Sequence, residues 1–324
     1  MDDSASERCR FSVVVPTYNE EDSIGDLLDS ILSADYPKTD IEVVIADGMS
    51  EDRTRAIVCE YIERNSTIEL HDNPDRHTPN GINVGFEASN GEIVVLVGGH
   101  STLPTDFFRR IEEAFERAPD AGVVGGVMEP EPSTYFETAV SMALVSPLGA
   151  SSNRFSEYEG YVETVNYGAY KRSVVQEVGL MDTSLPRAQD YEYNRRVRKH
   201  GIKIYQYPKI RVAYHPRSTP SALTRQYFGN GYWKAQVFQN NHGCLTSLAL
   251  ANGVIAGTAA MVLLGPLLLL SVGYLVAVTL AVRRARSRFD SDWLWHAPVT
   301  VVSLILMHTA YFCGFVTGTL SVPE

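Results

Sequence analysis

The apolar residues of this chain fall into short unbroken runs separated by longer stretches of helical spacing. Phe11 to Val15, Ile41 to Ala46 and Ile93 to Val97 are too short for ordinary helices and show little polar alternation. Such runs predict strands buried on both faces of a mostly parallel sheet. Pro16 is expected to end the first of them, because proline removes a ladder donor. Ile68 to Leu70 reads as a further short strand. Between the strands, Ile24, Leu27, Leu28, Ile31 and Leu32 recur every three or four residues, as do Ile57, Val58, Tyr61 and Ile62. Each set lays an apolar stripe on one side of a helix. A third helix starts at Pro79, where proline suits a first turn, and runs to Ala88. Strand and helix in alternation predict a doubly wound α/β domain with the strand carboxyl ends on one edge.

Beyond Ser101, residues 104–117 read as a helix with Phe107, Phe108, Ile111 and Phe115 inward, and 121–128 as a glycine-rich strand. Residues 134–144 are apolar and of helical character, 149–161 form a polar loop, and 161–170 return to the sheet. A short helix from Lys171 stops at Gly179, and a longer one runs from about Gln189 to a second stop at Gly201. Residues 202–207 read as an extended segment, and 223–234 mix aromatic residues with Arg225 and Lys234. That last mixture suits an interfacial helix with its rings at headgroup depth.

The pattern then changes. Residues 247–282 and 298–320 contain no charged side chain. The second stretch has 23 residues, enough to cross a hydrocarbon core of about 30 Å. The first has 36, with Gly265-Pro266 as a natural break, and predicts a hairpin, with one long helix as the alternative. Arginines at 283, 284, 286 and 288, together with Arg225 and Lys234, then lie on the cytoplasmic side. The expected divisions are a tail over 1–10, a catalytic domain over 11–215, an interfacial amphipathic segment over 216–246 and a membrane region over 247–324. The last holds helices at 247–264, 267–282 and 298–320. A cell-membrane, multi-pass protein with a cytoplasmic catalytic domain follows.

Composition narrows the function. With 28 Lys and Arg against 39 Asp and Glu, the net charge is -11, which argues against a nucleic-acid partner. Cys9, Cys59, Cys244 and Cys313 have neither metal-ligand nor redox spacing. The first ten residues lack the basic region and long apolar core of a secretory leader. No Gly-x-Gly-x-x-Gly or phosphate-loop lysine pattern follows the early strands, which removes support for a dinucleotide fold or a nucleoside triphosphatase.

The candidate chemistry lies at the strand ends. Gly98, Gly99 and His100 follow the strand at Ile93, where glycines admit close backbone approach and the imidazole offers itself to a metal, phosphate or hydroxyl. Asp47 ends the second strand, either to accept hydrogen bonds from a base or ribose or simply to form an Asx turn with Gly48. Asp52 reads as a cap for the next helix. Gln189 and Asp190 open a helix, where free N–H groups and the helix dipole favour an anion. Asp190 is then either a plain cap or a general base toward an attacking alcohol.

Taken together, Val13 to Glu20, Val44 to Thr54, Asn80 to Asn83, Gln189-Asp190 with Arg195, and Pro216 to Tyr227 resemble the membrane-associated family 2 glycosyltransferases of GT-A fold. Within that family the chain is most similar to the sugar transferases of exopolysaccharide, succinoglycan-type and lipid-linked glycan assembly. The resemblance covers roughly residues 11 to 235. It implies an inverting transfer from a UDP- or GDP-linked sugar to a polyprenyl or dolichyl phosphate glycan at the cytoplasmic membrane face, with Asp190 as general base. Pro16, Thr17, Tyr18, Glu20, Asp47, Asn80, Gly98 and Gly99 would bind the donor. Gln189, Arg217, Arg225 and Gln226 would face the acceptor or diphosphate, and His100 a Mg²⁺ or Mn²⁺ ion. The family ends its fourth strand with Asp-x-Asp or Asp-x-His, where this chain has Gly98-Gly-His100, so the cation loses its usual carboxylate. A catalytically impaired membrane scaffold of the same fold is the alternative.

Overall fold

The computed structural model describes residues 10–146, 148–149, 154–242, 280 and 293–321. These form two compact units, one from Met1–Glu129 with Ser156–Tyr214, the other from Pro130–Phe155 with His215–Glu324. The predicted helices at 247–264 and 267–282 lie outside the described residues.

The first unit is built on one mixed sheet. Strands β1 (Phe11–Thr17), β2 (Ile41–Asp47), β3 (Ile68–Asp72) and β4 (Ile93–Leu96) alternate with helices α1 (Ile24–Leu32), α2 (Thr54–Ile62) and α3 (Thr78–Ala88). After α4 (Phe107–Arg117) come β5 (Ala121–Pro130), β6 (Gly160–Tyr161), β7 (Asn166–Lys171), α6 (Arg172–Val178), α7 (Gln189–Lys199) and β8 (Lys203–Tyr214); α5 (Tyr135–Val145) belongs to the other unit. The strand order is β3-β2-β1-β4-β7-β5-β8-β6. The first four strands are parallel, whereas β7 runs antiparallel to both β4 and β5, and β6 antiparallel to β8.

Alternation along the central strands explains the two buried faces. Val13 and Val15 point into a core with Leu27, Leu28 and Ile31 of α1, Val58 of α2 and Phe107, Phe108 and Ile111 of α4. Val14 points the other way, toward Ile82 and Phe86 of α3, Val174 and Val178 of α6, and Tyr193 and Val197 of α7. Each such fully buried side chain contributes about 1.5–3 kcal/mol of transfer free energy. Gly85 of α3 leaves no room for a side chain, since a Cβ there would stand 2.1 Å from Val14 Cγ1.

Pro16 does not end β1, which continues to Thr17 paired with Asp47. The reason is directional. The Val14 carbonyl accepts from Val97 on the β4 side, and the Thr17 carbonyl accepts from Gly48 on the β2 side. Pro16 therefore faces β4, where the pairing stops at Val14 and Leu96 for want of its donor, while Thr17 continues the ladder with β2.

The second unit brings together three helices: α5, α8 (Pro220–His242) and α9 (Trp293–Leu320). A capping box starts α5, with Thr134 Oγ1 accepting from the Glu137 amide and the Glu137 carboxylate accepting from the Thr134 amide. Tyr135 stacks on His296 of α9 with ring centroids 4.5 Å apart. Residues Trp295–Leu320 form the one helix among the described residues long and apolar enough to cross a membrane, with mean hydropathy 1.9 and 33% of the apolar stretch buried. Helices α8 and α9 touch through backbone, because Cβ atoms at Gly231 and Gly314 would each stand 2.0 Å from a carbonyl oxygen of the opposite helix. At the end of α9 the carbonyls of Gly318 and Thr319 accept from Gln236 and Gln239 of α8, each at 2.8 Å. Those carbonyls have no partner within their own helix, so the glutamines satisfy groups that would otherwise be buried unpaired.

Candidate active site

The sheet order reverses between β1 and β4, since β2 and β3 extend the sheet on one side and β4 begins the other. In open α/β sheets, the crevice outside the strand carboxyl ends at such a reversal receives the ligand. The two loops that flank it meet. A Cβ on Gly99 would stand 3.0 Å from Thr17 Cγ2 and 3.2 Å from Glu20 Cγ, so the β4 loop lies close against the β1 loop here.

The loops after β1 and β2 are stitched into one rim. The Asn19 amide donates to Ser50 Oγ, the Glu51 amide to Asn19 Oδ1, and the Glu20 amide to Thr54 Oγ1, at 2.8–2.9 Å. Asp52 accepts from the amides of Thr54 and Glu21, one residue ahead of the N-cap position, which Arg53 holds. Asn19 and Met49 hold φ of +53° and +59°, a conformation that costs a non-glycine residue of order 1–3 kcal/mol and that the surrounding bonds must enforce.

Asp47 is completely buried. Its Oδ1 accepts from Ser50 Oγ at 2.6 Å, and its Oδ2 from the Ser50 amide at 3.0 Å and from Arg55 Nη1 at 2.8 Å. Three of about four acceptor directions are thus occupied. Arg55 also reaches Asp72, which ties the ends of β2 and β3 together. Neither Ser50 nor Arg55 stood out in the sequence, since the Asp47–Ser50 bond spans three residues, one beyond an ordinary Asx turn.

Tyr18 is exposed on the rim, with the Arg76 guanidinium 5.7 Å from its ring centroid. Asn80 lies in the first turn of α3 and donates to Asp75 at 2.8 Å. Three oxygens in this neighbourhood, Thr17 Oγ1, Asn73 Oδ1 and Asn80 Oδ1, are buried without a hydrogen-bond partner. Native proteins rarely leave such atoms unpaired, and those they leave call for a specific explanation. Asn73 was invisible to pattern reading. Only the fold shows it buried, with its amide bonded to the Asp47 carbonyl.

Glu20 and His100 face each other across the crevice, Oε1 to Nδ1 at 3.2 Å, while Ser23 Oγ donates to Glu20 Oε2 at 2.9 Å. Burial pushes the Glu20 carboxyl up, but the bonds to His100 and Ser23 outweigh it and hold the carboxyl below its ordinary range; the charge of Asp52 opposes them. A depressed folded value contributes stability that is present above the unfolded value and lost as pH falls through the folded one. Acid unfolding followed by circular dichroism should therefore show wild type losing more stability than Glu20→Gln below about pH 4.5. Parallel curves would mean that the pairing does not persist in solution.

Asp190 stands in the first turn of α7, as the pattern predicted, with its Oδ1 accepting from the Tyr191 amide at 2.8 Å. Ala188, at φ +60°, makes the turn that delivers Gln189 and Asp190 into the helix. Beneath them Tyr170 donates to Asn194, which donates to Thr164. Burial, then the neighbouring Tyr193 and Asp190, push the Tyr170 phenol well above its ordinary range. In the other unit, Arg217 is exposed in the loop before α8, Arg225 is exposed on α8 and Gln226 is half-buried beside it.

Residues 12–179, more than half of the chain, match the family described as Glycosyl transferase family 2. The chain belongs to that family. It is accordingly an enzyme of the nucleotide-sugar-dependent glycosyltransferase class. Among its relatives, succinoglycan biosynthesis protein ExoA of Rhizobium meliloti is 28% identical over 313 residues, covering 94% of this chain and 93% of its own length. The dolichyl N-acetyl-alpha-D-glucosaminyl phosphate 3-beta-D-2,3-diacetamido-2,3-dideoxy-beta-D-glucuronosyltransferase of Methanococcus voltae is 28% identical over 239 residues, 71% of this chain and 74% of that protein. The fold is also that of the mannosyltransferase PcManGT from Pyrobaculum calidifontis, solved with GDP-Man and Mn2+. The two align at a TM-score of 0.57 and 20% identity, over 94% of this chain and 87% of the other.

Proposed function

We propose that this family 2 glycosyltransferase moves a sugar from a UDP- or GDP-linked donor to a lipid-linked glycan at the cytoplasmic face of the membrane, with inversion at the anomeric carbon. The observation that carries the donor site is the crevice where the sheet order reverses, rimmed by the stitched loops after β1 and β2 and by the Glu20–His100 contact. The lipid-linked acceptor rests on the dolichyl-linked phosphate sugar named for the Methanococcus voltae enzyme and on the exposed apolar length of α9. A polyprenyl or dolichyl phosphate glycan has the long apolar tail that such a helix would meet in a bilayer.

In this reading Asp190 accepts the proton of the acceptor hydroxyl as its oxygen attacks the anomeric carbon. The bond from that carbon to the diphosphate breaks, and the nucleoside diphosphate leaves with the electron pair. Gln189 and the cations Arg217 and Arg225 are assigned to the acceptor and diphosphate, and Tyr18 and Asp47 to the nucleoside. A divalent cation, when bound, neutralises charge that builds on the departing phosphate oxygens. Among the described residues no three His, Cys, Asp or Glu side chains gather into a cage. Magnesium and its like nevertheless need only one or two protein ligands when a substrate phosphate shares the ion. Glu20 and His100 meet that requirement. The interfacial placement of α8 completes the proposal.

The test is transfer by the full chain in detergent, supplied with labelled UDP- and GDP-sugars and membrane lipid extract. Label moving into the organic phase with one donor is expected. No transfer with any donor would favour the scaffold reading.

A further inference from the structure

A departing nucleoside diphosphate concentrates negative charge beside the strand ends, and something in the crevice must offset it. Gly98 carries no side chain to help. The loop after β1, however, brings a carboxylate to the same place from eighty residues away. Glu20 Oε2 is held by Ser23 Oγ and the Glu20 amide by Thr54 Oγ1, so its Oε1 is aimed at His100 Nδ1 rather than left to wander.

We propose that Glu20 and His100 form a two-donor seat for Mn²⁺ or Mg²⁺, with the remaining positions filled by diphosphate oxygens and water. The inference rests on the donor reading above and deepens it. Two donors on neighbouring corners of an octahedron, each about 2.0–2.1 Å from the ion, stand about 2.9 Å apart. Glu20 Oε1 and His100 Nδ1 are 3.2 Å apart, so a small shift admits the ion between them. Carboxylate oxygen with one imidazole is a donor set that manganese accepts. As an ion pair alone the contact would matter little, because the His100 side chain is 74% exposed and exposed pairs contribute about 0–1 kcal/mol. The carboxylate absent at position 98 is thus replaced from a different strand end.

The neighbouring glycine supplies a sharp test. Gly98 is not among the glycines of positive φ, and the nearest atoms to a Cβ there belong to the exposed His100 ring, 3.2 Å away. An aspartate at 98 is therefore accommodated by a turn of that ring. Purified full chain in detergent is titrated calorimetrically with UDP and with GDP, with and without MnCl₂, and bound Mn²⁺ is followed by electron paramagnetic resonance.

Manganese should tighten diphosphate binding by about tenfold in wild type, an ordinary coupling between two ligands. Glu20→Gln and His100→Ala should each remove most of that gain. Adding Gly98→Asp to Glu20→Gln should restore it, which shows that the single variant is folded and lacks only a carboxylate beside His100. Diphosphate binding that is indifferent to Mn²⁺ in wild type, or an undiminished gain in Glu20→Gln, overturns the seat and leaves the donor reading standing. Failure of both diphosphates to bind under any condition overturns both.

Discussion

Replacing Asp190 by asparagine is expected to lower sugar transfer by about 10²- to 10⁴-fold, the usual contribution of a positioned general base. The substitution is mild in every other respect. Asparagine keeps an oxygen to accept from the Tyr191 amide, and the helix start is secured elsewhere, by the turn at Ala188 and by the Glu192 amide bonding to the Ala188 carbonyl. Glu192 itself is paired with Arg196 one turn on. The fold should survive intact, so the loss should fall on kcat while the donor KM stays within about threefold, the signature of an interaction made only in the transition state. Initial rates at saturating donor, with thermal unfolding of both proteins as control, decide the matter. Rates within threefold of wild type would return Asp190 to the role of a plain helix cap.

Gly314→Val should do comparable damage by an unrelated route. A Cβ at 314 would stand 2.0 Å from the Phe228 carbonyl oxygen, and its counterpart at Gly231 2.0 Å from the Tyr311 carbonyl oxygen. Gly318 approaches the Tyr232 carbonyl almost as closely, at 2.4 Å. These are backbone contacts, so no rotamer change relieves them, and α8 must move off α9. Overpacking costs about 1–3 kcal/mol or more. Separation also strips Gln236 and Gln239 from the carbonyls of Gly318 and Thr319, at about 1–3 kcal/mol for each group left buried and unpaired. The full chain in detergent should unfold several degrees lower by differential scanning fluorimetry. Val302→Leu, on an exposed face of α9, is the control and should leave Tm unchanged. Equal Tm values for the two variants would mean that the helices do not pack through these glycines.

The Gly314-x-x-x-Gly318 spacing behind that prediction is a known signal of close helix approach. Spacing of this kind names a contact face without naming the partner, and Gly231 lies in a segment read as interfacial for its aromatics and cations.

Local periodicity was sufficient for the elements themselves. The parallel β/α alternation, the helix that opens with Gln189 and Asp190, its stop at Gly201 and the apolar length of α9 could all be read from residues within a few positions of one another. Side-chain period and the chemistry of helix ends act over that range. Pairings between distant segments could not be read so. The antiparallel insertion of β7 between β4 and β5, the capture of Asp47 by Arg55, the burial of Asn73 and the meeting of Glu20 with His100 depend on strand order. A polar side chain has the same local pattern whether its partner comes from the neighbouring turn or from a strand eighty residues on. Only the folded sheet, by choosing which strand ends become neighbours, decides which of them meet.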